Sequence, residues 1–188
     1  MNAGADGAGP RRNLPGDLPR ADEISRMLRV DHAGEYGAVR IYAGQLAVLG
    51  DSKAGDVVRR MAAQEQRHLD TFDRLLPAHR VRPTALAPLW HVAGFALGAA
   101  SALLGERAAM ACTVAVEEVI DEHYAGQIER LGEDETQLKA TLEEFRRDEI
   151  AHRDEGIAHG AHQAPAHPLL SAAIKTGSRL AIWLSTRI

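Results

Sequence analysis

The chain has 188 residues, enough for one domain with a substantial core and short for two. Hydrophobic residues make up 45% and charged residues 26%, the ordinary range for a globular protein. The net charge of −4 supplies no broad basic surface, so nucleic acid is not expected as a partner.

Residues 1–20 are rich in Gly, Pro and Ala and contain no apolar stretch. They read as a flexible tail rather than a targeting peptide, with residues 21–188 as a single domain. From about residue 21 onward the periodicity is helical, and no run alternates as a strand would. The first helix carries Ile24, Leu28, Asp31, Glu35, Val39, Tyr42, Leu46 and Leu49 at steps of three or four, with a start near Asp22 and a stop at Gly50-Asp51. The second carries Val58, Met61, Glu65, His68, Phe72 and Leu75 and ends at Pro77. Pro83 to Gly105 follow, 23 residues without a formal charge. By length this segment could span a bilayer, although Pro88, His91, Gly94, Gly98 and Ser101 weaken that reading.

A further helical stripe runs Met110, Val114, Glu117, Asp121, Tyr124, Ile128 and Leu131 to Gly132. Cys112 lies on it. A lone cysteine makes no internal disulfide and fits a reducing compartment as a small buried residue. The next stripe runs Leu138, Leu142, Phe145, Glu149, His152, Gly156 and His159. The last segment, residues 169–188, mixes Leu169, Leu170, Ile174, Leu180, Trp183 and Leu184 with Lys175, Arg179 and Arg187. Basic residues beside Trp and Leu suit a helix lying on a lipid surface; the alternative is that both apolar segments are extra core helices.

Four of these stripes are apolar at their ends and acidic in the middle. A carboxylate on a core-facing stripe loses hydration worth about several kcal/mol unless it is paired or bound to a cation. Glu65-Gln66-Arg67-His68 and Glu149-Ile150-Ala151-His152 are both Glu-x-x-His, which puts carboxylate and imidazole on one helical face. Glu35 precedes the first motif and Glu117 the second by similar spacings, so the chain reads as two similar halves. One Glu from each of two helices and Glu-x-x-His from each of two others is the pattern of a dinuclear carboxylate site in a bundle. Four carboxylates neutralise two divalent ions and two imidazoles complete the shell, a set that suits iron or manganese and suits zinc less well. The expected metal ligands are therefore Glu35, Glu65, His68, Glu117, Glu149 and His152. Asp148 could accept a hydrogen bond from a ligand imidazole, His68 first among them. Asp31 and Asp121, each one turn from a ligand Glu, could do similar work or form surface salt bridges. Tyr124 and its neighbour His123 are candidates for contact with a substrate or for electron relay.

The run RVDHAGEYGAVRIYAGQLAVLG, from Arg29 to Gly50, strongly resembles the demethoxyubiquinone hydroxylase family of ubiquinone biosynthesis. So do QEQRHL, VRPTALAPLWHVAGFALGAASALLG, AMACTVAVEEVI and RRDEIAH, and the likeness extends from about Leu18 to the C-terminus. The resemblance implies an all-α, ferritin-like four-helix bundle with two iron ions and additional apolar, membrane-associating helices. Glu35 and His68 would serve one iron and Glu117 and His152 the other, with Glu65 and Glu149 bridging. His123 and Tyr124 would match a His-Tyr pair near the iron, linked to quinone or reductant. The implied reaction uses O2 to hydroxylate the ring of a polyprenylated demethoxyquinol, so the partners are O2, the quinone or quinol, a membrane surface and a lipid-binding protein of the same pathway. The implied place is the cytoplasmic face of the cell membrane, peripherally attached. An iron-oxidising or storage bundle, or a di-iron oxygenase of another substrate, is the alternative. The electron donor stays open.

Overall fold

A computed structural model describes residues 18–132 and 135–188, so the expected N-terminal tail lies almost wholly outside the described residues. The described residues form six α-helices, one 3-10 turn and no strand. These are α1 (Arg20–Leu49), α2 (Lys53–Ala78), α3 (Ala87–Leu103), α4 (Glu106–Arg130), α5 (Thr136–Ala158) and α6 (His167–Ser185), with the 3-10 turn at Ala161–Gln163.

Local chemistry explains where the helices stop and start. Asp22 and Glu23 lie in the first turn of α1, where negative charge favours the helix dipole. Gly50 ends α1 with φ +55°, a conformation that side chains rarely adopt. The Ser52 hydroxyl accepts the Gly55 N–H at 3.0 Å and caps α2. Pro77 sits in the last turn of α2, which runs one residue past it.

Two hairpins, α1–α2 and α4–α5, make the central bundle, and α3 and α6 cover its α1–α4 side. The buried apolar residues divide into two groups, one on each side of the belt of buried glutamates and histidines. Leu28, Phe72, Leu142 and Phe145 fill one end, and Tyr42, Val58, Met61 and Met110 fill the other. Cys112 is buried, and burial pushes its thiol up to about 12, which keeps it neutral.

α3 is built inside out. In α3 the buried residues are Gly94, Gly98, Ser101 and Ala102, whereas Leu89, Val92 and Leu103 are exposed. The cause is close backbone approach: a Cβ on Gly98 would fall onto the Ile41 carbonyl of α1, and one on Gly44 onto the Phe95 carbonyl of α3. In α6 only Ile174 and Ser185 are buried, while Leu169, Leu180 and Trp183 face outward. Trp90 Nε1 donates to Ser185 Oγ at 3.0 Å and Thr84 Oγ1 to the Ile188 carbonyl at 2.7 Å, joining the α3 region to the end of α6. Among the described residues no helix is long and apolar enough to cross a membrane. The length of Pro83–Gly105 suggested such a span; the helix within it has 17 residues, about 25 Å at 1.5 Å per residue.

Replacing Gly98 with Ala should destabilise the fold by about 2 kcal/mol through overpacking, read as a lower urea midpoint. Gly126→Ala, on α4 with nothing within 4 Å of the new methyl, should be neutral or stabilising by up to ~1 kcal/mol. Equal midpoints for the two variants would contradict the close α1–α3 contact.

Candidate metal centre

Each bundle helix turns one polar face inward at mid-height. α1 contributes Glu35, α2 Glu65 and His68, α4 Glu117, and α5 Glu149 and His152. All six residues are at most 2% exposed. Their ligating atoms form two overlapping groups, Glu35, Glu65, His68, Glu149 and Glu65, Glu117, Glu149, His152, with all atoms of a group within 4.8 Å of one another. Glu65 and Glu149 belong to both. His68 Nδ1 lies 3.5 Å from Glu35 Oε2 and 3.3 Å from Glu149 Oε1. His152 Nδ1 lies 2.9 Å from Glu65 Oε1 and 3.5 Å from Glu149 Oε2.

The inward-facing atoms lack hydrogen-bond partners. They include Oε2 of Glu35 and Glu117, both carboxylate oxygens of Glu65 and Glu149, and Nδ1 of both histidines. The outward-facing atoms are held. Tyr42 donates to Glu117 Oε1 at 2.7 Å, and Tyr124 donates to Glu35 Oε1. His68 Nε2 meets Asp148 at 3.1 Å, and His152 Nε2 meets Gln64 Oε1 at 3.1 Å. Eight unpartnered atoms converging in a dry site match what two cations with O and N ligands require.

The sequence model of the family described as Ubiquinone biosynthesis protein COQ7 matches residues 22–185. The chain belongs to this family. It is 64% identical over 176 residues to the 3-demethoxyubiquinol 3-hydroxylase of Rhodospirillum rubrum, covering 93% of this chain and 83% of that protein. It is 52% identical over 169 residues to the mitochondrial NADPH-dependent 3-demethoxyubiquinone 3-hydroxylase of Homo sapiens, covering 88% and 78% respectively. The mitochondrial 5-demethoxyubiquinone hydroxylase of Saccharomyces cerevisiae is 41% identical over 182 residues, covering 88% of this chain and 78% of that protein.

In this COQ7-family chain the second layer of the site departs from sequence expectation at several residues. Asp31 is buried and accepts from Gln127 Nε2 at 2.7 Å, with His123 Nε2 at 3.2 Å. Asp121 takes the second of its two expected roles: it pairs with Arg146 at 2.6 Å in a salt bridge away from the six clustered residues. Gln64, Tyr42, Gln45 and Gln127 escaped the sequence reading as site residues. Tyr42 follows Glu35 by seven positions and Tyr124 follows Glu117 by seven, a repeat that would have pointed to it.

Burial and mutual repulsion raise Glu65 and Glu117 well above the ordinary carboxyl value of 4.5, and burial also raises Glu149. Burial alone would lower His68, but the neighbouring carboxylates of Glu149 and Glu35 push it up to about 10. Burial lowers His152. Without cations, therefore, the folded chain holds protons on its buried carboxyls that the unfolded chain has released. The native state binds more protons, so metal-free stability falls as pH rises from 4.5 through the raised values. His152 acts oppositely, but its lowered value confines that effect to below about 6.5. Metal-free protein should melt roughly 5 °C lower at pH 9 than at pH 7, and Mn(II)-loaded protein should change much less. His68, raised from 6.5 to about 10, acts in the same direction across this window, so an unchanged metal-free melting temperature would mean that neither it nor these carboxyls hold protons more tightly in the folded chain.

Proposed function

We propose that this chain is a monooxygenase that hydroxylates the ring of a polyprenylated demethoxyquinol in ubiquinone biosynthesis, with O2 and two iron ions. The hydroxylase names of its relatives support the reaction. The observation that carries the reading is the pair of overlapping carboxylate–imidazole groups sealed inside the bundle. Glu35 and His68 would hold one iron and Glu117 and His152 the other, with Glu65 and Glu149 shared, in a ferritin-like arrangement. Bound iron would supply the activation of O2 that ring hydroxylation needs, one oxygen atom entering the ring and the other leaving as water with two electrons and two protons from a reductant.

The chain's own residues supply position and dryness. Tyr42 and Tyr124 each hold one oxygen of a terminal carboxylate and leave the other turned inward. Asp148 and Gln64 fix the imidazoles with Nδ1 toward the centre. The apolar groups above and below exclude water, which strengthens every charge interaction between them. His123, one-fifth exposed, lies in a groove of about 370 Å³ between α4 and α6 that Val119, Ile182 and Trp183 also line. That groove supports a role for His123 in meeting the ring or its reductant, and Tyr124, buried beside it, would act through its hydrogen bond to Glu35.

The substrate's tail supports the proposed membrane contact. A polyprenyl chain stays in lipid, and α3 and α6 present Leu89, Val92, Leu103, Leu180 and Trp183 outward. Lys175, Arg179 and Arg187 accompany them on or just after α6, although Lys175 and Arg179 are paired with Glu118 and Glu122 of α4. We therefore place the chain peripherally on the cytoplasmic face of a cell membrane, with a lipid-binding protein as a further partner. The NADPH-dependent relatives make a reduced nicotinamide the first reductant to test.

Purified iron-loaded protein, given O2, reductant and a short-tailed demethoxyquinol, should yield the ring-hydroxylated product by mass spectrometry. Glu149→Ala should lose shared ligation and fall about 100-fold or more in rate. Absence of product from wild type under nicotinamide, flavin and chemical reductants would refute the reaction. Trp183→Ala with Leu180→Ala should weaken binding to anionic liposomes by about tenfold while leaving iron content unchanged. Equal partitioning of variant and wild type would refute lipid contact through α6.

A further inference from the structure

The two halves of the bundle repeat each other around the site. Adding 82 to a position in α1 gives its counterpart in α4: Glu35 and Glu117, Tyr42 and Tyr124, Gln45 and Gln127. Adding 84 relates α2 to α5: Glu65 and Glu149, His68 and His152. The supporting contacts are exchanged between halves. Each tyrosine donates to the other half's terminal glutamate. The residue just before each Glu-x-x-His motif reaches the other motif's histidine, Asp148 to His68 and Gln64 to His152, both at 3.1 Å.

The repeat breaks at two of these supporting positions, and both breaks add a carboxylate on the same side. Asp148, beside His68, corresponds to the uncharged Gln64 beside His152. Asp31, one turn before Glu35 and bonded to Gln127, corresponds to Thr113, whose hydroxyl accepts from Gln45 at 3.4 Å. His123 lies against Asp31 and offsets its charge only when protonated. The contact of Asp148 is the imidazole of His68 itself, at 3.1 Å. A carboxylate that accepts the outer N–H of a ligating imidazole makes the ring a stronger donor and adds negative charge behind it. An amide oxygen accepts the same hydrogen bond without net charge.

We propose that the two metal subsites are unequal, with the Glu35–His68 subsite binding a divalent ion first and more tightly than the Glu117–His152 subsite. This rests on the dinuclear reading above. It assigns Asp148 and Gln64 as positioning residues that set the order of loading through the imidazoles they hold. An unequal pair gives the centre one firmly held ion and one whose surroundings rearrange more easily.

The test is titration of the metal-free full chain with Co(II), followed by calorimetry and by visible absorption. Wild type should bind two ions in steps separated by about tenfold or more. Asp148→Asn, which keeps the shape and removes the charge, should weaken only the tighter step by about tenfold. Gln64→Glu should tighten only the weaker step, and Glu117→Ala should keep the tighter step and lose the weaker. Far-UV circular dichroism checks folding; if Asp148→Asn unfolds, Gln64→Glu decides, since it changes the opposite subsite. Two equal steps in wild type, or a weaker step that is the one moved by Asp148→Asn, would overturn the inequality and leave the dinuclear reading standing. No Co(II) binding at all would overturn both.

Discussion

Four carboxyl groups meet in a place that water does not reach, and the rest of the structure is arranged around that cost. Among the described residues no lysine or arginine pairs with Glu35, Glu65, Glu117 or Glu149; their polar neighbours are the imidazoles of His68 and His152, the hydroxyls of Tyr42 and Tyr124, and one another. Taking a single carboxylate out of water costs about several kcal/mol, and four at close range repel as well. Only protons or cations resolve this. Protons leave the site neutral and inert, whereas two divalent ions match the charge and use the unpartnered atoms. The apolar groups at either end sharpen the choice, because they remove the water that would otherwise screen the acids.

Dryness at the centre sets a second problem, which α3 and α6 address. A substrate with an insoluble tail must reach a sealed site without opening it to bulk water. α3 puts its small residues against the bundle and its large apolar ones outward, the reverse of an ordinary surface helix, and α6 anchors through Ile174 while leaving Leu169, Leu180 and Trp183 outward. Close contact at Gly44, Gly94 and Gly98 seals the α1–α3 seam. Under the proposed membrane contact, the apolar outer surface would continue the oily environment of the tail up to the bundle. Neither helix has to cross a bilayer for this.

The six clustered residues were legible in the sequence because each one interrupts an apolar stripe, and an interruption repeated on four helices at matched spacing has few structural explanations. Asp148 was legible for a similar reason, as an acid beside a ligand motif. The orientation of α3 was not, because a helix apolar on every face carries no moment to say which side packs; steric contact at its glycines decides that. Tyr42, Gln45 and Gln127 were hidden because such side chains on a core-facing stripe usually serve as packing. Asp31 and Asp121 looked alike, each one turn from a ligand glutamate. Asp31 lies before its glutamate and meets Gln127 across the core, whereas Asp121 lies after its own and is drawn outward by Arg146.

Exchange of partners ties the site to the assembly of the fold. The hairpins α1–α2 and α4–α5 are each closely packed, while α1 against α4 and α2 against α5 touch far less. Neither hairpin owns a subsite. The group around Glu35 and His68 needs Glu149 from α5, and the group around Glu117 and His152 needs Glu65 from α2. Tyr42 and Tyr124 cross the same divide in opposite directions. Cations bound there would therefore act as fasteners between two half-bundles that share little direct backbone contact. Metal affinity and the closure of the bundle are then one equilibrium, since binding energy gained at the centre is available only when both hairpins are in place.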